Sequence, residues 1–198
     1  GAAAFFVLDT RTMRIKNGEQ SCILGERQWG QLQQWLLDSK DRYPLKFIVS
    51  SGAVLCNLWG DLARDRWSGF PADQRRLLSF LAVEGIEGVF LLTGDMHSAH
   101  AVRAELYGPA GKAIPLWELC SSPFEQNPNW AARFTYATIR GAALKNQVRK
   151  FVVAEPNFGI VRVAYDASGA PEVRFEVYNR VGECLKTVDC MGDQTEPG

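Results

Sequence analysis

Both histidines of the 198-residue chain fall in one short window, close behind a carboxylate. The window contains Asp95, His97 and His100. An aspartate and a histidine two positions apart in a loop can bind one metal ion, and imidazole with carboxylate suits iron, zinc or manganese. The spacing therefore predicts Asp95 and His97 as metal ligands. His100 is a weaker candidate that supports a ligand or transfers a proton to a substrate. The alternative is a strand-end turn with an exposed histidine.

The sequence before this window favours the metal-site interpretation. Gly88 to Thr93 are nearly all apolar, which is typical of a central strand in a parallel sheet. Ligand sites of such sheets form beyond the carboxyl ends of the strands. Gly94 follows directly, and a glycine allows the backbone to turn sharply there.

A second polar cluster also follows an apolar strand. Asp9 and Arg11 come directly after Ala2–Leu8, at the predicted carboxyl end of that strand. An arginine in this position can bind a phosphate through two parallel hydrogen bonds. The alternative is a structural Asp–Arg pair at a strand end.

A third segment, Asp65 to Pro71, combines charged and aromatic residues. Its Trp67 and Phe70 either form the wall of a substrate pocket or anchor the loop to the core. Trp67 is therefore a candidate for contact with the substrate or with the residues around the metal.

The elements that position these clusters follow from hydrophobic periodicity. Two strand–helix–strand units in succession favour an α/β sheet, whereas the second half alternates and ends in an antiparallel meander. The predicted helices carry Trp29, Leu32, Leu36 and Leu37 on one face, and Leu77, Leu78 and Leu81 after Pro71. The later strands are predicted at Ala99–Leu106, Ile114–Leu119, Phe158–Tyr165 and Glu172–Tyr178, followed by a short last strand. Ala99–Leu106 is predicted to keep one side in solvent. Asn127 to Lys150 is predicted to be irregular or partly helical.

The composition excludes several classes of protein. The 22 basic residues balance 22 acidic ones, so no basic excess favours nucleic acid or an anionic membrane. The longest apolar stretches have the length of a strand rather than of a membrane span. Five cysteines without a CxxC spacing argue against a zinc knuckle. A Cys184–Cys190 disulfide is an option if the protein is exported, and the compartment remains open.

Taken together and in order, these segments resemble the PhoD-like (alkaline phosphatase D) family of metallophosphatases. The matching segments are Phe6 to Arg11, Leu24 to Gln28 leading to Trp35 and Leu36, Asp65 to Pro71 with Arg75, Leu77 and Leu78, Leu91 to His97, and Phe158 to Val163. The resemblance covers nearly the whole chain.

The resemblance implies a fold and a set of roles. The fold would be a partial metallophosphoesterase-type β-sandwich of the α/β class, flanked by helices, with a mixed sheet and a C-terminal antiparallel meander. Asp95 and His97 would be late metal ligands of a multinuclear centre, and Asp9 with Arg11 would shape the site or contact phosphate. Family members are associated with iron and calcium, and the substrate would be a phosphoester.

The resemblance also implies that a part of the site is supplied from elsewhere. Residues 1–198 would form one domain, the C-terminal half of a phosphatase domain, because the family's early metal ligands have no counterpart here. Its own N-terminal half or another chain would then complete the sheet beside Ala2–Leu8. The rival hypothesis is a non-catalytic binding or structural module that retains the fold. A lesser one is a protein that binds a single metal through Asp95, His97 and His100.

Overall fold

The computed structural model describes residues 3–16, 18, 21–56, 65–109, 111–128 and 144–191. In chain order the elements are β1 (Ala3–Val7), α1 (Gly25–Ser39), β2 (Leu45–Val49), a 3₁₀ turn (Trp67–Gly69), α2 (Pro71–Val83), β3 (Val89–Thr93), β4 (Ala99–Tyr107), β5 (Ala113–Cys120), β6 (Leu144–Val153), β7 (Asn157–Tyr165), β8 (Pro171–Asn179) and β9 (Cys184–Asp189).

The described strands form a six-stranded mixed sheet and a three-stranded antiparallel sheet. The strand order of the larger sheet is β1-β2-β3-β5-β4-β6. Strands β1, β2, β3 and β5 run parallel, and β4 pairs antiparallel with both β5 and β6. The apolar strand β3 has a parallel partner on each side, as its sequence predicts.

One face of the larger sheet packs against the two helices. Helix α1 contributes Leu32 and Leu36, and α2 contributes Leu77, Leu78 and Leu81, all fully buried. Pro71 opens α2 at its first turn, where a missing N–H costs no hydrogen bond. Leu37, predicted on the buried face of α1, is 43% exposed and points away from that face.

The opposite face packs against the smaller sheet of β7, β8 and β9. Val173, Phe175 and Val177 of β8 share a core with Phe47 and Phe90. This second layer also covers Ala99 and Ala101, so the prediction that β4 keeps a solvent-facing side is wrong for its first half. The described part of the molecule is therefore a β-sandwich with two helices on its outer face, which is the predicted fold class.

Two further expectations differ from the structure. Residues 144–150, predicted to be irregular or partly helical, belong to β6, whose exposed and half-buried positions obscure the strand pattern; residues 129–143 lie outside the described part. Cys184 and Cys190 are both free thiols, with Cys190 buried between the sheets. Within the described residues, neither helix has the length and apolarity to cross a bilayer.

Candidate active site at the carboxyl edge

The carboxyl ends of four parallel strands meet along one edge of the larger sheet, called here the carboxyl edge. Backbone hydrogen bonds continue the pairing just past the strands, from Leu8 N–H to Val49 O at 2.9 Å and from Ser121 N–H to Thr93 O at 3.2 Å. Thr10 and Ser51, which follow β1 and β2, are joined through their hydroxyls at 2.5 Å. The loops that carry the predicted site residues therefore lie side by side.

Arg11 and Asp95 meet at this edge although 84 positions separate them in the sequence. A guanidinium nitrogen of Arg11 lies 3.5 Å from Asp95 Oδ2. Both side chains are about half exposed, so the pair faces solvent. At that distance the contact is weak, and both groups remain available to a ligand.

The loop Gly94–Ser98 turns through its non-glycine residues. Asp95 and His97 both adopt left-handed backbone conformations, with φ of 57° and 54°. Aspartate and histidine are enriched among such residues, yet each conformation costs about 1 kcal/mol or more. Gly94 itself has no positive φ, so the expectation that this glycine makes the sharp turn is wrong. Met96 N–H donates to Ser122 Oγ at 3.0 Å between the two strained positions, which holds the loop in place.

The imidazole of His97 is oriented by a backbone carbonyl. Its Nδ1 lies 3.0 Å from the carbonyl oxygen of Asn127. Because a carbonyl only accepts hydrogen bonds, Nδ1 is the donor of this contact, and in the neutral imidazole Nε2 is then the nitrogen with a free lone pair. His97 and Asp95 thus contact different partners, and their joint role as ligands stays a prediction.

Asp9 organises the loop that carries Arg11. One of its carboxylate oxygens accepts the backbone N–H groups of Arg11 and Thr12, both at 2.9 Å. Hydrogen bonds from Thr12, and then from the Arg11 backbone, lower the pKa of the Asp9 carboxyl. Asp9 therefore fixes the turn that aims Arg11 across the edge.

Trp67 lies behind the site rather than in it. Its side chain is fully buried, and its indole N–H donates to Ser50 Oγ at 3.0 Å. Phe70 is buried as well, so the anchoring alternative describes this segment better than the pocket wall. Next to Trp67 in the chain, Arg66 contacts the sulfur of Met96, and burial lowers the pKa of its guanidinium. In this position Trp67 supports the residues after β2 and has no surface to offer a substrate.

His100 lies in the interior, at the start of β4. Its Nε2 is 2.9 Å from Glu118 Oε1, and both side chains are almost completely buried. Burial by itself lowers the pKa of His100, but the neighbouring Cys120 and Cys56 sulfur groups raise it overall. Proton transfer from His100 to a substrate has no support in this placement, and a supporting role stays a prediction.

Sequence reasoning missed Glu118 and Cys56, which surround His100. The signal for Glu118 was a carboxylate within the apolar strand Leu116–Cys120, since a buried charge needs a partner. Cys56 gave no comparable signal, because its position depends on the loop that follows β2.

A cavity of about 480 Å³ opens beside residues 121–127, the segment whose Asn127 carbonyl oxygen contacts His97. It is lined by Phe124, Glu125, Asn157, Phe158 and Arg180. Asn157 fixes the chain between the cavity and the loop, since its amide donates to Ser122 O at 2.8 Å. The cavity and the carboxyl edge are thus separated by one segment, residues 121–127.

The layered sandwich, with polar loops gathered at one strand edge, is similar to a solved structure entitled "Structure of PhoD". The TM-score is 0.54 at 19% sequence identity, over 97% of this chain and 44% of that one. A curated relative, alkaline phosphatase D of Bacillus subtilis (strain 168), is 25% identical over 120 residues, which are 50% of this chain and 20% of the relative. The chain thus spans less than half the length of either protein.

The structural likeness defines the fold as an α/β sandwich. The family description "PhoD-like phosphatase" matches residues 1–174. The chain belongs to the PhoD-like phosphatase family.

Proposed function

We propose that this chain forms part of the active centre of a metal-dependent phosphoester hydrolase that cleaves phosphomonoesters or phosphodiesters. One observation carries the proposal: Arg11 and Asp95, from loops far apart in the sequence, lie 3.5 Å apart at the carboxyl edge. Catalytic sites of open parallel sheets occupy this position. Membership of the family supports the reaction class.

The side chains present fit a metal ion. His97 donates Nδ1–H to a backbone carbonyl, the arrangement that most metal-binding histidines use to present Nε2 to the ion. Asp95 offers a carboxylate that is half exposed and only weakly paired. A bound ion would polarise a phosphoryl oxygen and acidify a water molecule. Iron and calcium are the ions that the family resemblance suggests, with zinc or manganese as alternatives.

The remaining residues would bind and orient the substrate. Arg11 is free to exchange its long contact with Asp95 for a phosphate oxygen, and the Asp9 turn keeps it on the correct side of the edge. The neighbouring cavity has room for the group esterified to the phosphate, with Phe124 and Phe158 as apolar contacts.

The site needs further ligands to become a two-metal centre. Strand β1 lies at the end of the sheet in the described part of the chain, with Phe5 58% and Val7 71% exposed. An edge strand with exposed apolar side chains can pair with another strand. The proposed partner is the protein's own N-terminal half or a second chain, either of which would supply the missing ligands.

Hydrolysis assays test the proposal. The 198-residue chain, and the same chain with any residues that precede Gly1 in its gene product, are assayed with aryl phosphate monoesters and diesters and added iron, calcium or manganese. We expect negligible turnover by the shorter chain and metal-dependent turnover by the longer one, lost in Asp95→Ala and His97→Ala. Asp38→Asn, on the surface of α1, is the matched control. Metal-loaded protein without turnover in either form would favour the non-catalytic module, and full activity in Asp95→Ala would refute the site.

A further inference from the structure

Three buried side chains of different chemistry converge beneath the loop Gly94–Ser98. One ligand atom from each of Cys56, His100 and Glu118 lies within 4.8 Å of the other two. The exposed fractions of the residues are 3%, 2% and 0%. Among the described residues this is the one group of three or more cysteine, histidine or acidic side chains that could hold a metal ion together. The proposed phosphatase chemistry does not use it.

The fold brings these residues together from three separate elements. In β5, the residues Leu116, Glu118 and Cys120 share the face that is turned towards the helices, because side chains alternate along a strand. His100 pairs with Cys120 in the sheet register and lies on the same face. Cys56 reaches the same place from the loop after β2, where Val54 and Leu55 belong to the core beneath the helices.

Glu118 is held rigidly as a ligand would be. Its Oε2 accepts the backbone N–H groups of Val54 and Leu55, at 2.5 and 2.8 Å. Its Oε1 points at His100 Nε2. Two backbone donors fix one oxygen and leave the other to share a cation with the imidazole, which is how supporting contacts orient metal-binding carboxylates.

The charge of this donor set matches a divalent ion. A thiolate and a carboxylate together carry two negative charges and the imidazole is neutral, so one bound divalent ion leaves no net charge in the interior. The protons that the ligands lose on binding the ion pass to solvent.

We propose that Cys56, His100 and Glu118 form a structural metal site that binds one Zn²⁺. Thiolate, imidazole and carboxylate are the donors that zinc takes in proteins, at about 2.0–2.3 Å from the ion. Ligand atoms bound to one such ion lie roughly 3–4 Å apart. In the cluster, His100 Nε2 and Glu118 Oε1 are 2.9 Å apart, and no two of the three ligand atoms are more than 4.8 Å apart, so the observed distances bracket this range. Cys120, which packs with Cys56 and Met96, is adjacent for the fourth position.

This site differs from the candidate ligands at the carboxyl edge. Its thiolate selects zinc over calcium or magnesium, whereas Asp95 and His97 are exposed to solvent and offer no sulfur. Its role would be to join the loop after β2 to β4 and β5 directly below Met96. The inference stands independently of the proposed hydrolase activity.

Cobalt and zinc titration of the chelator-treated protein tests the site. We expect one tight equivalent with a Co²⁺–thiolate charge-transfer absorption, and at least about 100-fold weaker binding in Cys56→Ser, with an absorption that is lost or, if Cys120 takes the fourth position, clearly reduced. The matched control Cys184→Ser, exposed on β9, should keep both properties. The double variant Asp95→Ala/His97→Ala should also keep them, which separates this ion from one at the edge.

X-ray absorption of the zinc-loaded wild-type protein gives a second measurement if Cys56→Ser fails to fold. A sulfur atom at about 2.3 Å from zinc is the expected result. Only nitrogen and oxygen neighbours would overturn the proposal, as would unchanged cobalt absorption in a folded Cys56→Ser or the lack of a tight equivalent in the wild type.

Discussion

Replacing Glu118 by alanine is expected to destabilise the metal-free protein far more than replacing it by glutamine. Alanine removes the acceptor of two buried backbone N–H groups and the counter-ion of His100. Each unsatisfied buried N–H costs about 1–3 kcal/mol, and loss of one partner of a buried ion pair costs about 3–5 kcal/mol. Because His100 can release its proton, the costs do not simply add, and we expect a total of about 3–5 kcal/mol.

Glutamine separates the two contributions. Its amide oxygen can still accept the N–H groups of Val54 and Leu55. Its NH₂ group then faces His100 and can only donate to a neutral Nε2, so the ion pair is lost while both backbone groups stay satisfied. The expected cost is about 1–2 kcal/mol. For a chain of this size, roughly 2–4 °C per kcal/mol gives a Tm lower by about 10 °C for alanine and by a few degrees for glutamine.

Urea unfolding followed by tryptophan fluorescence, with a chelator present, measures both variants, since the chain contains six tryptophans. Glu172→Ala, exposed on β8, is the control and should change the free energy of unfolding by less than about 0.5 kcal/mol. Equal losses in the alanine and glutamine variants would show that the two N–H groups are not the main cost. A loss below about 1 kcal/mol in Glu118→Ala would refute the burial argument itself.

Three further predictions concern other parts of the molecule. Gly88→Ala should destabilise the fold by several kcal/mol, because the φ of Gly88 is 70° and an added Cβ would meet a backbone carbonyl oxygen at 2.0 Å. Gly30→Ala, on the open surface of α1, should instead stabilise the fold by about 0.5–1 kcal/mol. Thermal unfolding of both variants measures the two effects. The hydrogen bond from Arg76 lowers the pKa of Glu26 in the folded protein. This pair therefore stabilises the fold above the unfolded pKa of about 4.3, and the stabilisation disappears as the pH falls through the lowered folded value. Arg76→Gln should flatten the acid limb of a curve of stability against pH by about 0.5 kcal/mol. Val7→Lys should weaken association of the chain through the edge of β1 in sedimentation experiments, since a lysine on an edge strand disfavours pairing, and unchanged association would place the contact elsewhere.

Local sequence patterns predict the elements that are buried either on both faces or along one regular stripe. Strands β2 and β3 lie between neighbours and are covered on both faces, so their residues are nearly all apolar. Helices α1 and α2 bury one stripe each, which produces a helical period. The meeting of Arg11 with Asp95 follows from the same logic, because parallel strands end at a common edge.

The remainder depends on pairings that the local sequence does not specify. The cluster around His100 requires β4 to lie antiparallel to β5 in a register that places Val102 opposite Glu118. Strand β6 was missed because most of its residues stay exposed or half-buried, which leaves only Leu144 and Val153 fully buried within it. The burial of the first half of β4 depends on its contact with the smaller sheet, whose strands come much later in the chain.

The strand order also determines when the carboxyl edge can be completed during folding. Strands β3 and β4 follow each other in the chain, yet β5 lies between them, so Gly94–Ser98 passes over the end of a strand that is synthesised later. Its two fixing contacts, Met96 to Ser122 and His97 to Asn127, both come from residues beyond β5. The left-handed conformations of Asp95 and His97 therefore lack these hydrogen bonds until β5 has inserted between its neighbours. The local shape of the candidate active site therefore depends on β5 being in place and cannot be set by β3 and β4 alone.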